Sequence, residues 1–119
     1  HFKEIKKQLT ECLKDVSAKD YERIVIAYEP IWAIGKDAKR PATAEECFEM
    51  VTVIKRSISE IINNTTVAHL VPVLYGGSSN AENTADFLTT GGANGLLVGR
   101  ASLDPVEFRK MICTAAKLK

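Results

Sequence analysis

Three short apolar runs decide what this chain can become. They are RIVIAY (23–28), LVPVLYG (70–76) and GLLVG (95–99). Each is rich in β-branched residues and too short for a helix, so each reads as a strand, and their near-continuous apolarity suits strands buried on both faces. The intervals between them are long and carry helical periodicity, which rules out hairpins. Strands separated by amphipathic helices must pair in parallel through crossover connections, so the fold class is α/β. Pro72 inside the second run lacks an amide donor and points to a strand end, an edge or a bulge.

The helical segments carry their own punctuation. Phe2, Ile5, Leu9, Cys12, Leu13 and Val16 recur at helical spacing and predict an amphipathic helix under way near the first residue. TAEE (43–46) predicts a capping box, with Thr43 at the N-cap and Glu46 three residues on. Phe48, Val51, Ile54, Ile58 and Ile61 then mark an inner stripe that Asn63–Asn64 ends. Asn80 can cap a short helix reaching about Leu88, which TTGG stops. Asp104–Pro105 opens the last helix, whose expected buried side is Phe108, Met111, Ile112 and Ala115.

Composition sets the outer limits. The 119 residues suffice for one domain with one core, 45% are hydrophobic and 26% charged, and the formal net charge is +1. That balance gives no reason to expect a nucleic-acid or lipid partner. No apolar run approaches the roughly 20 residues of a spanning helix, and HFKEIKKQLTECLK has no apolar block after its charges, so no signal peptide is expected there. Cys12, Cys47 and Cys113 are odd in number and unpaired in spacing. They predict reduced thiols in the cytosol, buried as small apolar side chains.

In parallel α/β proteins, ligands collect beyond the carboxyl ends of strands. Three loops leave such ends here: EPIWAIGKD, GGSSN and GRASLD, each with glycine or free helix-start amides suited to an anion. Glu29 stands at the first of these ends, between an apolar strand and a rigid proline. Low solvation there would favour its protonated form and make it a better proton acceptor. A strand-end ion pair is the bland alternative. His69 has no partner at ligand spacing and reads as a surface residue. Lys36, Lys39 and Arg40 read as a solvated loop able to steer an anion. IGKD lacks the second glycine and the Ser or Thr of a nucleotide-binding loop.

AYEPIWAIG (27–35), YGGS (75–78) and LVGRASLDP (97–105), in that order, resemble the triosephosphate isomerase family. The resemblance covers essentially the whole chain. It implies the C-terminal part of a (β/α)₈ barrel: the end of the fifth helix, then the sixth to eighth strand–helix units, as one partial domain over 1–119. It implies a glycolytic and gluconeogenic enzyme interconverting two triose phosphates, with no cofactor and no metal. Glu29 would match the base that moves a proton between adjacent carbons. Pro30, Ile31 and Trp32 would match the first hinge of a closing lid, and Tyr75 the tyrosine that latches it. Ile34 and Leu97 resemble an apolar clamp over the glutamate. The amides of Gly35, Ser78, Gly99 and Arg100 would match the phosphate-binding set. For Gly76, Gly77 and Gly99, turn geometry alone is the simpler explanation. Such a lid excludes water from an enediolate that would otherwise eject phosphate, a principle this family itself illustrates.

The sequence departs from the family's pattern at three points. The lid tip GKDAKRPAT is longer than usual and lacks Gly-Thr-Gly. Arg100 stands where a second glycine is common. The family barrel needs ~250 residues, and this chain offers neither the first-strand asparagine and lysine nor the fourth-strand histidine. The expectations are therefore inactivity in isolation, the N-terminal half of the barrel as a partner, and a homodimeric, cytoplasmic parent. An open inner sheet face and two open edges predict self-association, re-closure on other elements, or existence only as a cleaved or partly ordered part of a larger protein. Two other functions fit the cradle: another phosphate-binding half-barrel enzyme, or a non-catalytic module.

Overall fold

The computed structural model describes residues 1–118. The chain begins with α1 (Phe2–Leu13) and a 3₁₀ turn (Ala18–Arg23), then enters β1 (Ile26–Tyr28). A loop with one 3₁₀ turn (Ile31–Ala33) leads to α2 (Ala44–Ile62) and α3 (Thr65–Leu70). After β2 (Val73–Tyr75), α4 (Thr84–Leu88) and β3 (Gly95–Leu96), a 3₁₀ turn (Arg100–Leu103) precedes α5 (Pro105–Lys117). The three strands form one parallel sheet in the order β1-β2-β3, with Tyr28 opposite Tyr75 and Tyr75 opposite Leu96.

Three helix ends form as their sequences require. Thr43 Oγ1 accepts from the Glu46 amide at 3.2 Å, and the Glu46 carboxylate accepts from the Thr43 amide at 2.8 Å. Asn63 takes the left-handed conformation (φ 50°) that ends α2. Asp104 Oδ1 accepts from Val106 N (3.0 Å) and Glu107 N (3.2 Å), with Pro105 at the first helical position. The expected Asn80 cap does not form: Asn80 Oδ1 accepts from the amides of Glu82 and Asn83 in the turn before α4, whose own N-cap, Asn83, makes no side-chain cap.

The core lies between α2 and one face of the sheet. Cys47, Met50, Val51, Ile54 and Ile58 of α2 are buried with Tyr28, Val73, Tyr75 and Phe87. Each such aliphatic side chain contributes about 1.5–3 kcal/mol by leaving water. Tyr75 stacks on Phe87 with ring centroids 4.0 Å apart. Helix α1 leans on α2 through Leu9 and Leu13 and leaves a groove between itself and β1.

Several expectations need correction. The strands are shorter than the apolar runs, because only residues with a paired neighbour extend the ladder. Arg23 closes a 3₁₀ turn, Leu70 ends α3, and Pro72 precedes β2, where its carbonyl accepts from Ile26 N at 2.9 Å. The strands are not all buried on both faces: Ala27 within β1 is exposed. Phe48 (55% exposed) and Ile112 (54% exposed) leave the expected inner stripes, and Phe2 and Cys12 lie on the outside of α1. Of the cysteines, only Cys47 is buried, its thiol pushed up to about 11 by desolvation; Cys12 and Cys113 are exposed. Helix α3 was not foreseen. Asn64 caps it by accepting from Val67 N at 3.0 Å, and His69 lies exposed near its end.

Candidate active site

The site is built at the carboxyl ends of the three strands, where the ladder runs on into the loops. Gly76 N donates to Tyr28 O at 2.7 Å, and Leu97 N donates to Tyr75 O at 2.9 Å. These bonds fix how the loop after each strand departs. One cleft then gathers residues from all three loops: Ile34 and Gly35 from the first, Gly76 to Asn80 from the second, Gly99 to Ala101 from the third. Its volume is about 320 Å³. All four residues expected to hold phosphate, namely Gly35, Ser78, Gly99 and Arg100, line it. Gly35 sits at φ +74° with open space around it, and Gly99 likewise has none of the chain near its α-carbon's free side.

Two donors in this cleft are already engaged. Ser78 N (3.0 Å) and Ser78 Oγ (2.8 Å) both donate to Ala33 O in the first loop. An amide that donates to Ala33 O is not free for an anion, so Ser78 N is committed elsewhere in this conformation. Ala33 itself is fully buried, and its role as a strap was not legible because any backbone carbonyl can play it. The Ser79 hydroxyl, also lining the cleft, is buried without a partner.

Glu29 directly follows β1 but faces a different space. It is exposed and lines the groove shared with α1, beside Ile5, Leu9 and Ile31. The expected low solvation is not met among the described residues, since Glu29 is exposed in an open groove. Glu29 is nevertheless adjacent to the cleft through Gly76. A Cβ on Gly76 would stand 2.6 Å from Glu29 Cγ and 3.3 Å from Tyr28 O. A Cβ on Gly77 would collide with the Tyr75 hydroxyl and ring. Both glycines have negative φ, so close approach rather than turn geometry demands them.

The remaining expected residues divide. Pro30 is buried, and its carbonyl accepts from Ala33 N at 2.8 Å, so the expected first hinge is a hydrogen-bonded turn. Ile31 is 80% exposed, whereas Trp32 is half-buried against the core. Tyr75 is 1% exposed. Burial raises its hydroxyl pKa, and the Ala42 backbone opposes that rise; Ala42 faces the oxygen without closing a hydrogen bond of good geometry. Burial likewise pushes the neighbouring Tyr28 up to about 12, with Tyr75 adding to the rise. Of the expected clamp, Ile34 lines the cleft and Leu97 is 46% exposed beyond β3; neither lines the groove that Glu29 lines.

The family model for triosephosphate isomerase matches residues 1–115. The chain belongs to the triosephosphate isomerase family. Similar family members include the triosephosphate isomerases of Lawsonia intracellularis (39% identical over 91% of this chain), Dictyoglomus thermophilum (40% over 91%) and Aquifex aeolicus (41% over 93%). The chain spans 41%, 42% and 43% of these relatives' lengths, respectively. Among the described residues, no helix is long and apolar enough to cross a membrane, and no group of three or more His, Cys, Asp or Glu is placed to hold a metal ion.

Proposed function

We propose that this chain supplies the last three strand–helix units of a (β/α)₈ triosephosphate isomerase. Its substrates are dihydroxyacetone phosphate and glyceraldehyde 3-phosphate. Glu29 takes a proton from one carbon and returns it to the next through an enediolate. The cleft at Gly35, Gly99 and Arg100 holds the phosphate, joined by Ser78 once Ala33 O releases it. The loop from Pro30 to Thr43 acts as the lid. The observation that carries this reading is the contact of Gly76 with the Glu29 stem: the acid and the anion cleft share one residue as a wall.

The geometry also supports dependence on further strands. Glu29 is exposed, and a proton acceptor working on a labile enediolate needs water excluded. The chain alone is therefore inactive in this reading, and the covering surface comes from the remainder of the barrel. The test is a graft in which residues 1–115 replace the matching part of the Aquifex aeolicus relative. A folded graft should isomerise triose phosphates, and Glu29→Gln should abolish turnover while sparing phosphate binding. A folded but inert graft, or full turnover after Glu29→Gln, refutes the assignment.

A further inference from the structure

The longer lid carries a device that its sequence did not announce. Arg40 lies near the second end of the loop, just before α2. Its Nη2 donates to Glu46 Oε1 at 2.6 Å and its Nη1 to Glu46 Oε2 at 2.8 Å, a two-pronged fork. Nη1 also donates to Pro41 O at 3.1 Å. The guanidinium carbon sits 4.7 Å from the centre of the Trp32 ring, at the first end of the same loop. Lys39 N donates to Trp32 O at 3.1 Å, so backbone and side chain tie the two ends at one level.

We propose that Arg40 is a positioning residue that pins the two ends of the loop together, gripping Glu46 on one side and roofing Trp32 on the other. Glu46 suits this task because it is itself fixed. The carboxylate oxygen that takes Arg40 Nη1 also accepts from Thr43 N at 2.8 Å in the capping box, so α2 holds the anchor. Trp32 follows Glu29 by three positions, with the buried Pro30 between them. Fixing the indole therefore limits where the backbone of Glu29 can travel. The tip, by contrast, has little to hold it: Gly35 to Ala38 is closed by a single 3.4 Å hydrogen bond, and Gly35, Lys36 and Asp37 are exposed. The pin confines motion to the tip and keeps the ends in place. A lysine cannot substitute, because a point charge neither forks a carboxylate nor stacks as a plane. That the loop is a closing lid rests on the isomerase reading; the contacts themselves do not.

Trp32 is the chain's sole tryptophan, so its fluorescence reports on the pin directly. The experiment measures acrylamide quenching of Trp32 in the 119-residue chain for Arg40→Ala, Arg40→Lys, Glu46→Gln and the Arg40→Ala/Glu46→Gln double variant. Far-UV circular dichroism is followed alongside. Glu46→Gln keeps an oxygen for Thr43 N and so preserves the cap while removing the charge. Loss of a half-exposed cation–aromatic contact should raise quenching about two- to fivefold in Arg40→Ala and in Glu46→Gln. The double variant should go no further, and Arg40→Lys should not restore the wild-type value. Unchanged quenching with helices intact overturns the proposal. So does a double variant whose effect is the product of the two singles, since the groups would then act apart. Arg40→Lys carries the same test if Arg40→Ala loses its helical signal. No turnover is measured, so failure here leaves the isomerase reading standing, and an inert graft leaves the pin standing.

Discussion

Gly76→Ala separates the stability of this site from its chemistry. The added methyl would stand 2.6 Å from Glu29 Cγ, 3.4 Å from Glu29 Cδ and 3.3 Å from Tyr28 O. Carbon atoms rest at about 3.5–4.0 Å, so the Glu29 stem must retreat by roughly 1 Å. Two responses compete. The backbone could part, but that stretches the 2.7 Å bond from Gly76 N to Tyr28 O that fixes the exit from β1. The side chain can instead leave its rotamer well, at about 0.5–1.5 kcal/mol. Glu29 is exposed on its far side, so the side chain yields. The expected stability loss is thus about 1 kcal/mol. The expected catalytic loss is far larger: a displacement of ~1 Å costs on the order of 10²-fold in rate, or about 2.7 kcal/mol of barrier. Steady-state kinetics on the graft should show this loss in kcat, with KM changed only a few-fold, and urea unfolding should show a small shift in midpoint. A kcat within threefold of the parent graft, or a loss confined to KM, would refute the claim that Gly76 sets the position of the proton carrier.

Three further outcomes follow from particular contacts. Asp104→Ala removes the acceptor for Val106 N and Glu107 N, and should cost ~1 kcal/mol, seen as a drop of a few degrees in Tm by circular dichroism; an unchanged Tm shows the cap is idle. Arg100 is exposed at the rim of the cleft, so Arg100→Gly in the graft should alter affinity only modestly, whereas a loss above ~3 kcal/mol of transition-state stabilisation would show that the side chain itself engages the substrate. The hydrogen bonds from Arg40 and Thr43 hold Glu46 at about 2, below its ordinary 4.5. A depressed carboxylate stabilises the fold above its unfolded pKa and loses that contribution as pH falls towards its folded one. The urea midpoint gap between wild type and Glu46→Gln should therefore be constant from pH 7 to 5 and shrink by roughly half near pH 3; a gap independent of pH would contradict the pairing.

What could be read beforehand follows from the range of the forces involved. Caps are local: Thr43 with Glu46, Asn63 ending α2, and Asp104 before Pro105 each need only a few neighbouring residues, and each formed as its sequence dictates. Helix α3 escaped notice because it spans six residues, too few for a periodic stripe, and starts directly after Asn63–Asn64, which reads as a stop. Phe48, Ile112, Cys12 and Cys113 were misplaced because an apolar stripe says which side is inner only if something lies against it along its full length. The three loops that meet at the cleft were legible because glycines sit at equivalent strand ends in each unit, whereas the individual cleft residues came from the family resemblance. Ser78's commitment to Ala33, and Arg40's to Glu46 and Trp32, depend on how the first loop folds over the second, which no local pattern encodes.

The two exposed grooves complete the picture of a site only partly walled. One lies between α1 and the free edge of β1, lined by Leu9, Leu13, Ile26 and Ile54; the other lies beside β3, lined by Leu96, Val98, Met111 and Ile112. Both are apolar and both flank a strand with a row of unpaired backbone groups on its outer side. In this arrangement α1 packs on α2 through Leu9 and Leu13, which also line the groove that reaches the β1 edge. A parallel strand laid against β1 would satisfy that edge, fill the groove under α1 and stand next to Glu29, which lines the same groove. The same addition that buries apolar surface would therefore remove water from the acid. Under the proposed isomerase reading, completing the sheet and drying Glu29 would be one physical event.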